Sequence, residues 1–380
     1  MNFGGEDVKE IDMMYSKDRL SDASRTFRRL AETYNELSLG QENSFAYEYK
    51  KTIVEQLLEM AEILNGLSGE NSKELYLPGA SKRALIKELQ VNGVQISNII
   101  FIEREYKRVE IILVAKCAKN TCMTTKEIGA IISTFLGKEY IPAPNSKMVM
   151  GRELNEYVFV EAPKFKALQG IARVNKKGND VSGDSFSFSN LDSGHMVLSL
   201  VDGMGCGAMA NRESAIVIEL LEQFLEAGFS EKTAIGLINS AFSINDYIGK
   251  PVTIDMSVVD LYTGMCNCIK LGAASTFIKR NSWVEIIKST TFPIGVLSQV
   301  DFDNSVKKLY DGDYIIMVSD GVLDAIPFEE KELYMMDLIS SLNIRKPEGL
   351  AKAILDEALS YTNMRAMDDM TVLVAGIFAK

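Results

Sequence analysis

Apolar positions along this chain recur at helical spacing early and at strand spacing later. After Ser21, the residues Phe27, Leu30, Ala31, Tyr34 and Leu37 keep to one helix face, and Gly40 stops the run. A longer helix is predicted over about 42–64, with Ile53, Val54, Leu57, Leu58, Ala61 and Leu64 on one side. The two predict an antiparallel hairpin, whose stripe suits core packing or a coupling surface better than a ligand site. Residues 81–91 read as a helix ended by Asn92-Gly93. Strands follow at 94–102 and 109–115, joined by a charged turn over 103–108. A helix over 124–136 is closed by Gly137, and a strand near 156–160 completes a small α/β module. That module holds no catalytic constellation. Residues 1–163 are therefore expected to be a regulatory or interaction domain.

From residue 164 the pattern turns to short apolar and alternating runs: 168–174, 185–189, 196–201, 254–261, 265–271, 276–279, 314–318 and 372–378. Two consecutive helices interrupt them. The first, about 209–227, places Val217, Leu220, Leu221 and Phe224 on one face and stops at Gly228. The second is capped by Ser230 and runs to about Tyr247. The fold class expected is α/β (α+β), with 164–380 as a second domain large enough for its own core.

The stretch HMVLSLVDGMGCGA, residues 195–208, organises this second domain. An apolar strand ends on Asp202, glycines follow at 203, 205 and 207, and a helix begins. Three readings are open: a strand-turn-helix connection whose glycines relieve crowding, a relaxed dinucleotide fingerprint, and a metal site. The succession of elements decides against a dinucleotide. That unit needs a parallel strand directly after the first helix, and here a second helix comes instead.

Composition narrows the chemistry. The 380 residues carry a net charge of −11 and have a pI of about 4.9, so no basic stripe is available for nucleic acid. The five cysteines contain no pair of CxxC knuckles, which argues against structural zinc, and their odd number suits a reducing cytosol. No signal peptide and no run of 18 apolar residues is present. The single histidine, His195, opens a strand without a nucleophile motif nearby and reads as structural or surface. Chemistry must then rest on carboxylates, lysines, cysteines or a metal.

Asp184, Asp202, Asp320 and the pair Asp368-Asp369 all sit at strand boundaries. One such aspartate is usually a turn residue, but four together offer the hard oxygen ligands that Mg²⁺ and Mn²⁺ prefer. Clustered carboxylates repel one another unless a cation neutralises them. A two-metal centre needs neither histidine nor a catalytic cysteine.

At these residues the chain resembles the metal-dependent PPM (protein phosphatase 2C) superfamily, and within it the stage II sporulation protein E family of spore-forming Firmicutes. The motifs that carry the resemblance are GDS at 183, DGMGCG at 202, TIDM at 253, FPIG at 292, SDG at 319 and DDMT at 368. It covers about 164–380 and extends more weakly into the preceding region. It implies an α-β-β-α four-layer sandwich and two ions, Mn²⁺ or Mg²⁺, held by Asp184, Asp202, the Gly203 carbonyl, Asp320 and Asp368. The implied catalytic element is a metal-activated water held by Asp184 and Asp202, attacking phosphorus in one in-line displacement. In the last motif the ligand precedes the threonine by three residues, which selects Asp368 over Asp369.

The stretch 271–275 carries no acid where many relatives place a third-metal ligand, and nothing matches the arginine that grips phosphate in eukaryotic members. Phosphate is then expected to be held mainly by metal. The implied substrate is a phosphoserine on an anti-sigma-factor antagonist, whose dephosphorylation activates a sporulation or stress sigma factor. Implied further partners are cell-division proteins through the N-terminal domain, and further copies of the chain. The expected location is cytoplasmic, including the cytoplasmic part of a membrane-anchored protein whose membrane segment is absent here. The reading from a different class is an inactive phosphatase-like scaffold or sensor.

Overall fold

A computed structural model describes residues 44–68, 73–74, 79–103, 108–118, 122–143, 146–191, 194–226, 229–244, 251–297 and 302–380, with isolated positions between 20 and 32. Of the expected helix after Ser21, the described positions 24–25, 27–29 and 31–32 are helical; its part beyond 32, its stop at Gly40, the inner part of the charged turn, the stop at Gly228 and the helix end near Tyr247 lie outside the described residues. The chain divides into two compact units, Met1–Thr33 with Leu57–Ala162 and Tyr34–Gln56 with Pro163–Lys380.

The elements up to Ala162 are α1 (Ser44–Ser68), β1 (Lys73–Glu74), α2 (Gly79–Val91), β2 (Val94–Glu103), β3 (Val109–Cys117), β4 (Met123–Thr124), α3 (Thr125–Leu136), β5 (Tyr140–Pro142), β6 (Val149–Met150) and β7 (Asn155–Glu161). The antiparallel sheet β1-β2-β3-β7-β5 is covered by helix side chains. Leu85 and Leu89 of α2 and Ile128 and Ile132 of α3 share one core with Ile99, Ile111, Leu113, Tyr157 and Phe159 of the strands. α3 starts where the sequence places it because Thr124 and Glu127 form a capping box. The Thr124 N–H donates to Glu127 Oε2 at 2.7 Å, and the Glu127 N–H donates to Thr124 Oγ1 at 3.2 Å.

The second unit continues with β8 (Phe165–Val174), β9 (Asp184–Asn190), β10 (His195–Gly203), α4 (Ala208–Glu226), α5 (Glu231–Ile244), β11 (Val252–Asp260), β12 (Met265–Leu271), β13 (Thr276–Arg280), β14 (Trp283–Ile287), β15 (Asp303–Lys308) and β16 (Asp313–Val318). Then come α6 (Asp320–Asp324), α7 (Lys331–Ser341), α8 (Pro347–Ser360) and β17 (Met370–Ala379). Among the described residues two five-stranded antiparallel sheets form, β15-β12-β11-β10-β9 and β14-β13-β16-β17-β8.

Side-chain alternation fixes the layers. Met196, Leu198 and Leu200 of β10 point between the sheets and meet Ile315 and Met317 of β16 and Leu373 of β17. Val197 and Val201 point outward onto Val217 and Leu221 of α4 and Ile235 and Ile238 of α5. On the far side, Leu350, Ile354 and Ala358 of α8 cover Ile316, Val372 and Val374. The result is the four-layer α-β-β-α sandwich. The antiparallel pairing of β10 with β11, straight after two helices, has no place in a dinucleotide-binding unit.

Candidate metal centre

The inward positions of β10 run Met196, Leu198, Leu200 and then Asp202, so a carboxylate replaces an apolar residue where the strand leaves the sandwich interior. Asp202 stands directly opposite Asp184 of β9 on one side and Thr253 of β11 on the other. β16 delivers Asp320 in a similar way, two residues past its six buried positions, with Ser319 between as the N-cap of α6. β17 begins just after Asp368 and Asp369.

These strand ends meet at a cavity of about 220 Å³ lined by Asp184, Asp202, Gly203, Asp320, Asp368 and Lys176 among others. Cys206, Thr253 and Pro293 also face it, so the glycine turn and the TIDM and FPIG motifs belong to the same site. FPIG reaches it through a bridge between Val252 and Ile294. Gly203 is required by space: a Cβ there would lie 2.4 Å from the Ala210 carbonyl oxygen at the start of α4.

Asp184 is 1 % exposed. Its Oδ2 accepts from Thr371 Oγ1 at 2.6 Å, and its Oδ1 is buried with no protein partner. Burial holds its pKa above the usual carboxylate value. Burial, joined by the charges of Asp184 and Asp320, pushes Asp202 up to about 10. Asp320 is raised chiefly by burial, with the Asp368 charge adding to it.

Asp368 and Asp369 have separate tasks. Both oxygens of Asp369 are taken by backbone donors, Lys176 N–H at 2.8 Å and Gly183 N–H at 2.8 Å, so this buried carboxylate pins the loop leading into Asp184. Asp368 is half-exposed and accepts from Lys176 Nζ at 3.3 Å. That contact raises the Lys176 pKa, keeping the ammonium charged. Asn211 and Ser214 of α4 tie the same loop from the other side, donating to the Ser182 and Gly183 carbonyls at 2.8 and 2.6 Å.

Among the described residues no three acidic, cysteine or histidine side chains close on one point as a ready cage. The donor set nevertheless fits a hard divalent cation of the Mg²⁺ kind, which takes one or two carboxylates per ion and keeps several waters. The unpartnered buried Oδ1 of Asp184 is the clearest mark of that fit. Sequence reasoning passes over Lys176, sets Asp369 aside as a ligand, and uses Thr371 only as a marker of spacing. Only the spacing of Thr371 from Asp368 carries a signal for one of them, and Lys176 is not distinguishable there from Lys177.

A family model described as stage II sporulation protein E matches residues 192–378. The chain is 29 % identical over 329 residues to stage II sporulation protein E of Bacillus subtilis (strain 168), covering 86 % of this chain and 40 % of that protein. It is 30 % identical over 332 residues to the Priestia megaterium protein, covering 86 % and 56 %. It thus spans about half the length of the curated relatives it matches. A solved structure of the PP2C phosphatase domain and a fragment of the regulatory domain of the B. subtilis protein superposes with a TM-score of 0.60 at 26 % identity, covering 90 % of this chain and 99 % of that one. Residues 192–378 thus match the stage II sporulation protein E (SpoIIE) family, and the second unit has the PP2C phosphatase fold.

Proposed function

We propose that this chain is a divalent-metal-dependent protein serine phosphatase acting on a phosphoserine of an anti-sigma-factor antagonist, and so activating a sporulation or stress sigma factor. The observation that carries the reading is the convergence of Asp184, Asp202, Asp320 and Asp368 on one cavity whose wall also holds Lys176. Those carboxylates and the Gly203 carbonyl would hold two ions, Mn²⁺ or Mg²⁺. When bound, such ions acidify a water so that it can attack phosphorus at neutral pH, and they offset the charge that develops there.

The chain's own residues do the rest. Asp202, between Asp184 and Thr253, is the central ligand. Thr371 fixes the Asp184 carboxylate, and Asp369 fixes the loop before it. In this reading Lys176 meets the phosphate oxygens, a role the sequence assigns mainly to metal. An ammonium on an otherwise acidic wall draws the phosphate towards it. In this reading residues 1–163 form a regulatory and interaction domain, with cell-division proteins and further copies of the chain as candidate partners. The setting is cytoplasmic; among the described residues no helix is long and apolar enough to cross a membrane.

The test is phosphate release from a phosphoserine antagonist protein with and without Mn²⁺, comparing the natural chain with Asp320→Asn. Mn²⁺-dependent release by the natural chain, with a folded but inactive variant, supports the reading. No release with any divalent metal overturns it in favour of a scaffold.

A further inference from the structure

A buried ion pair lies beneath the acidic cavity, outside the set of residues that face the ions. Asp255 of β11 stands opposite Lys270 of β12, and both point between the sheets. Lys270 is 0 % exposed and Asp255 2 %. Lys270 Nζ donates to Asp255 Oδ2 at 2.5 Å and to Thr276 Oγ1 at 2.7 Å, and the Thr276 hydroxyl donates to the same Oδ2. Stability alone is a poor reason to keep such a pair, because apolar residues of similar volume usually serve as well or better.

The other oxygen of Asp255 points to a reason. Oδ1 is buried with no protein donor. The register sets Asp202 opposite Thr253 and Leu200 opposite Asp255, so Asp255 is the diagonal neighbour of Asp202 on the same face. Between them lies a small pocket of about 30 Å³, lined by Asp202, Thr253, Asp255, Ser319 and Asp320 among others. That is room for one water, with more than the two polar partners a buried water needs. Two carboxylates cannot bond each other, but a water donates one O–H to each.

We infer that Asp255 is a positioning residue for the metal ligands: through one water in this pocket it orients Asp202, while Lys270 and Thr276 hold Asp255 in place. The inference rests on the proposed metal site. Hydrogen-bonded partners behind metal ligands typically govern affinity by about 10–100-fold.

The test combines Mn²⁺ titration calorimetry with a crystal structure of the Mn²⁺-loaded full chain. Asp255→Leu/Lys270→Met removes both charges and the acceptor, and is expected to keep the fold in EDTA while weakening Mn²⁺ binding by about 10–100-fold. Asp255→Asn/Lys270→Met also removes both charges, but its amide oxygen still accepts from the water, so it is expected to bind Mn²⁺ much as the natural chain does. Equal Mn²⁺ affinity in all three proteins overturns the inference alone. Equal loss in both double variants overturns it too, since charge and not the water would then be the cause. A natural chain that binds no Mn²⁺ overturns the metal reading and this inference together. If the leucine variant does not fold, the crystal structure decides. A water within hydrogen-bond distance of both Asp255 Oδ1 and Asp202 supports the inference. An empty pocket, or a cation there, overturns it.

Discussion

Thr371 Oγ1 donates a 2.6 Å hydrogen bond to Asp184 Oδ2, joining the last strand of the chain to the first strand of the opposing sheet. The other oxygen of the Asp184 side chain is buried without a protein partner. Thr371→Val keeps the shape and removes the donor. The expected cost is about 1–3 kcal/mol in metal-free unfolding by urea, the penalty for stranding a buried acceptor. Mn²⁺ affinity should fall with it, and Thr371→Ser should recover both. A valine variant as stable as the natural chain would show that Asp184 draws nothing from this bond.

Gly321 couples two site aspartates through space. A Cβ on it would sit 2.2 Å from the Asp369 carbonyl oxygen and 3.3 Å from the Asp368 Cβ. Gly321→Ala must therefore move either the start of α6, which carries Asp320, or the strand entrance that carries Asp368. The expected result is a loss of about 1–3 kcal/mol from overpacking, with phosphatase activity falling much further than stability. Unchanged activity in a folded variant would mean that the two segments can part without disturbing the site.

The site aspartates are legible in the sequence because each borders a strand, Asp202 and Asp320 after an apolar run and Asp184 and Asp368 before a strand, and a charge there must face either solvent or a ligand. Asp202 after Leu200 and Asp320 after Val318 read this way without any structure. The two-helix interruption after Gly207 is equally legible and excludes the dinucleotide fold by order alone. Other parts are not. β15 reads Asp-Asn-Ser-Val-Lys-Lys, an edge strand with alternate residues exposed, and its polarity hides it from a hydrophobic pattern. The sequence patterns above assign no element within 321–367, where α7 and α8 form, although Leu350, Ile354 and Ala358 keep helical spacing. Lys270 sits in a strand pattern where periodicity assigns a face but cannot say that the face is dry. Nothing in the order of residues shows that Lys176 returns to Asp368, 192 positions away.

Lys176 touches both the cavity and Asp368, so its two roles can be separated by kinetics. The contact at 3.3 Å joins side chains that are 36 % and 49 % exposed, worth under about 1 kcal/mol to stability. Lys176→Met should therefore fold normally and bind Mn²⁺ at least as well, since it frees Asp368. Its defect should appear in phosphate release, with Lys176→Arg restoring part of the rate. Equal rates for the natural chain and Lys176→Met would remove Lys176 from the phosphate site.

A pH prediction follows from Glu332 of α7, away from the cavity. Lys288 first, then the Ser275 hydroxyl at 2.6 Å, hold its pKa below the ordinary 4.5. A carboxyl depressed on folding contributes stability above its unfolded value, and that contribution is lost as the pH falls through the folded value. Glu332→Gln should be less stable than the natural chain at pH 7, by under about 1 kcal/mol because Lys288 is well exposed. The difference should vanish once the pH is well below 4.5, the ordinary value. Urea unfolding in EDTA at several pH values tests this, and a gap that does not change with pH would trace the loss to packing instead of charge.

Asp202 is the residue where stability and function oppose each other most directly. Burial and the neighbouring Asp184 and Asp320 penalise its charged form. An amide of the same shape carries no such penalty. Asp202→Asn should therefore melt higher than the natural chain in EDTA, at about 2–4 °C for each kcal/mol recovered. Added divalent metal should reverse the order. A ligand that binds only the folded state stabilises it by about 2.7 kcal/mol at a hundred times its dissociation constant, and Mn²⁺ should raise the melting point of the natural chain while leaving Asp202→Asn where it was. A variant that melts lower in EDTA and still rises with Mn²⁺ would remove Asp202 from the centre of the metal site, since its charge would then be neither a burden to the metal-free fold nor a requirement for the ion.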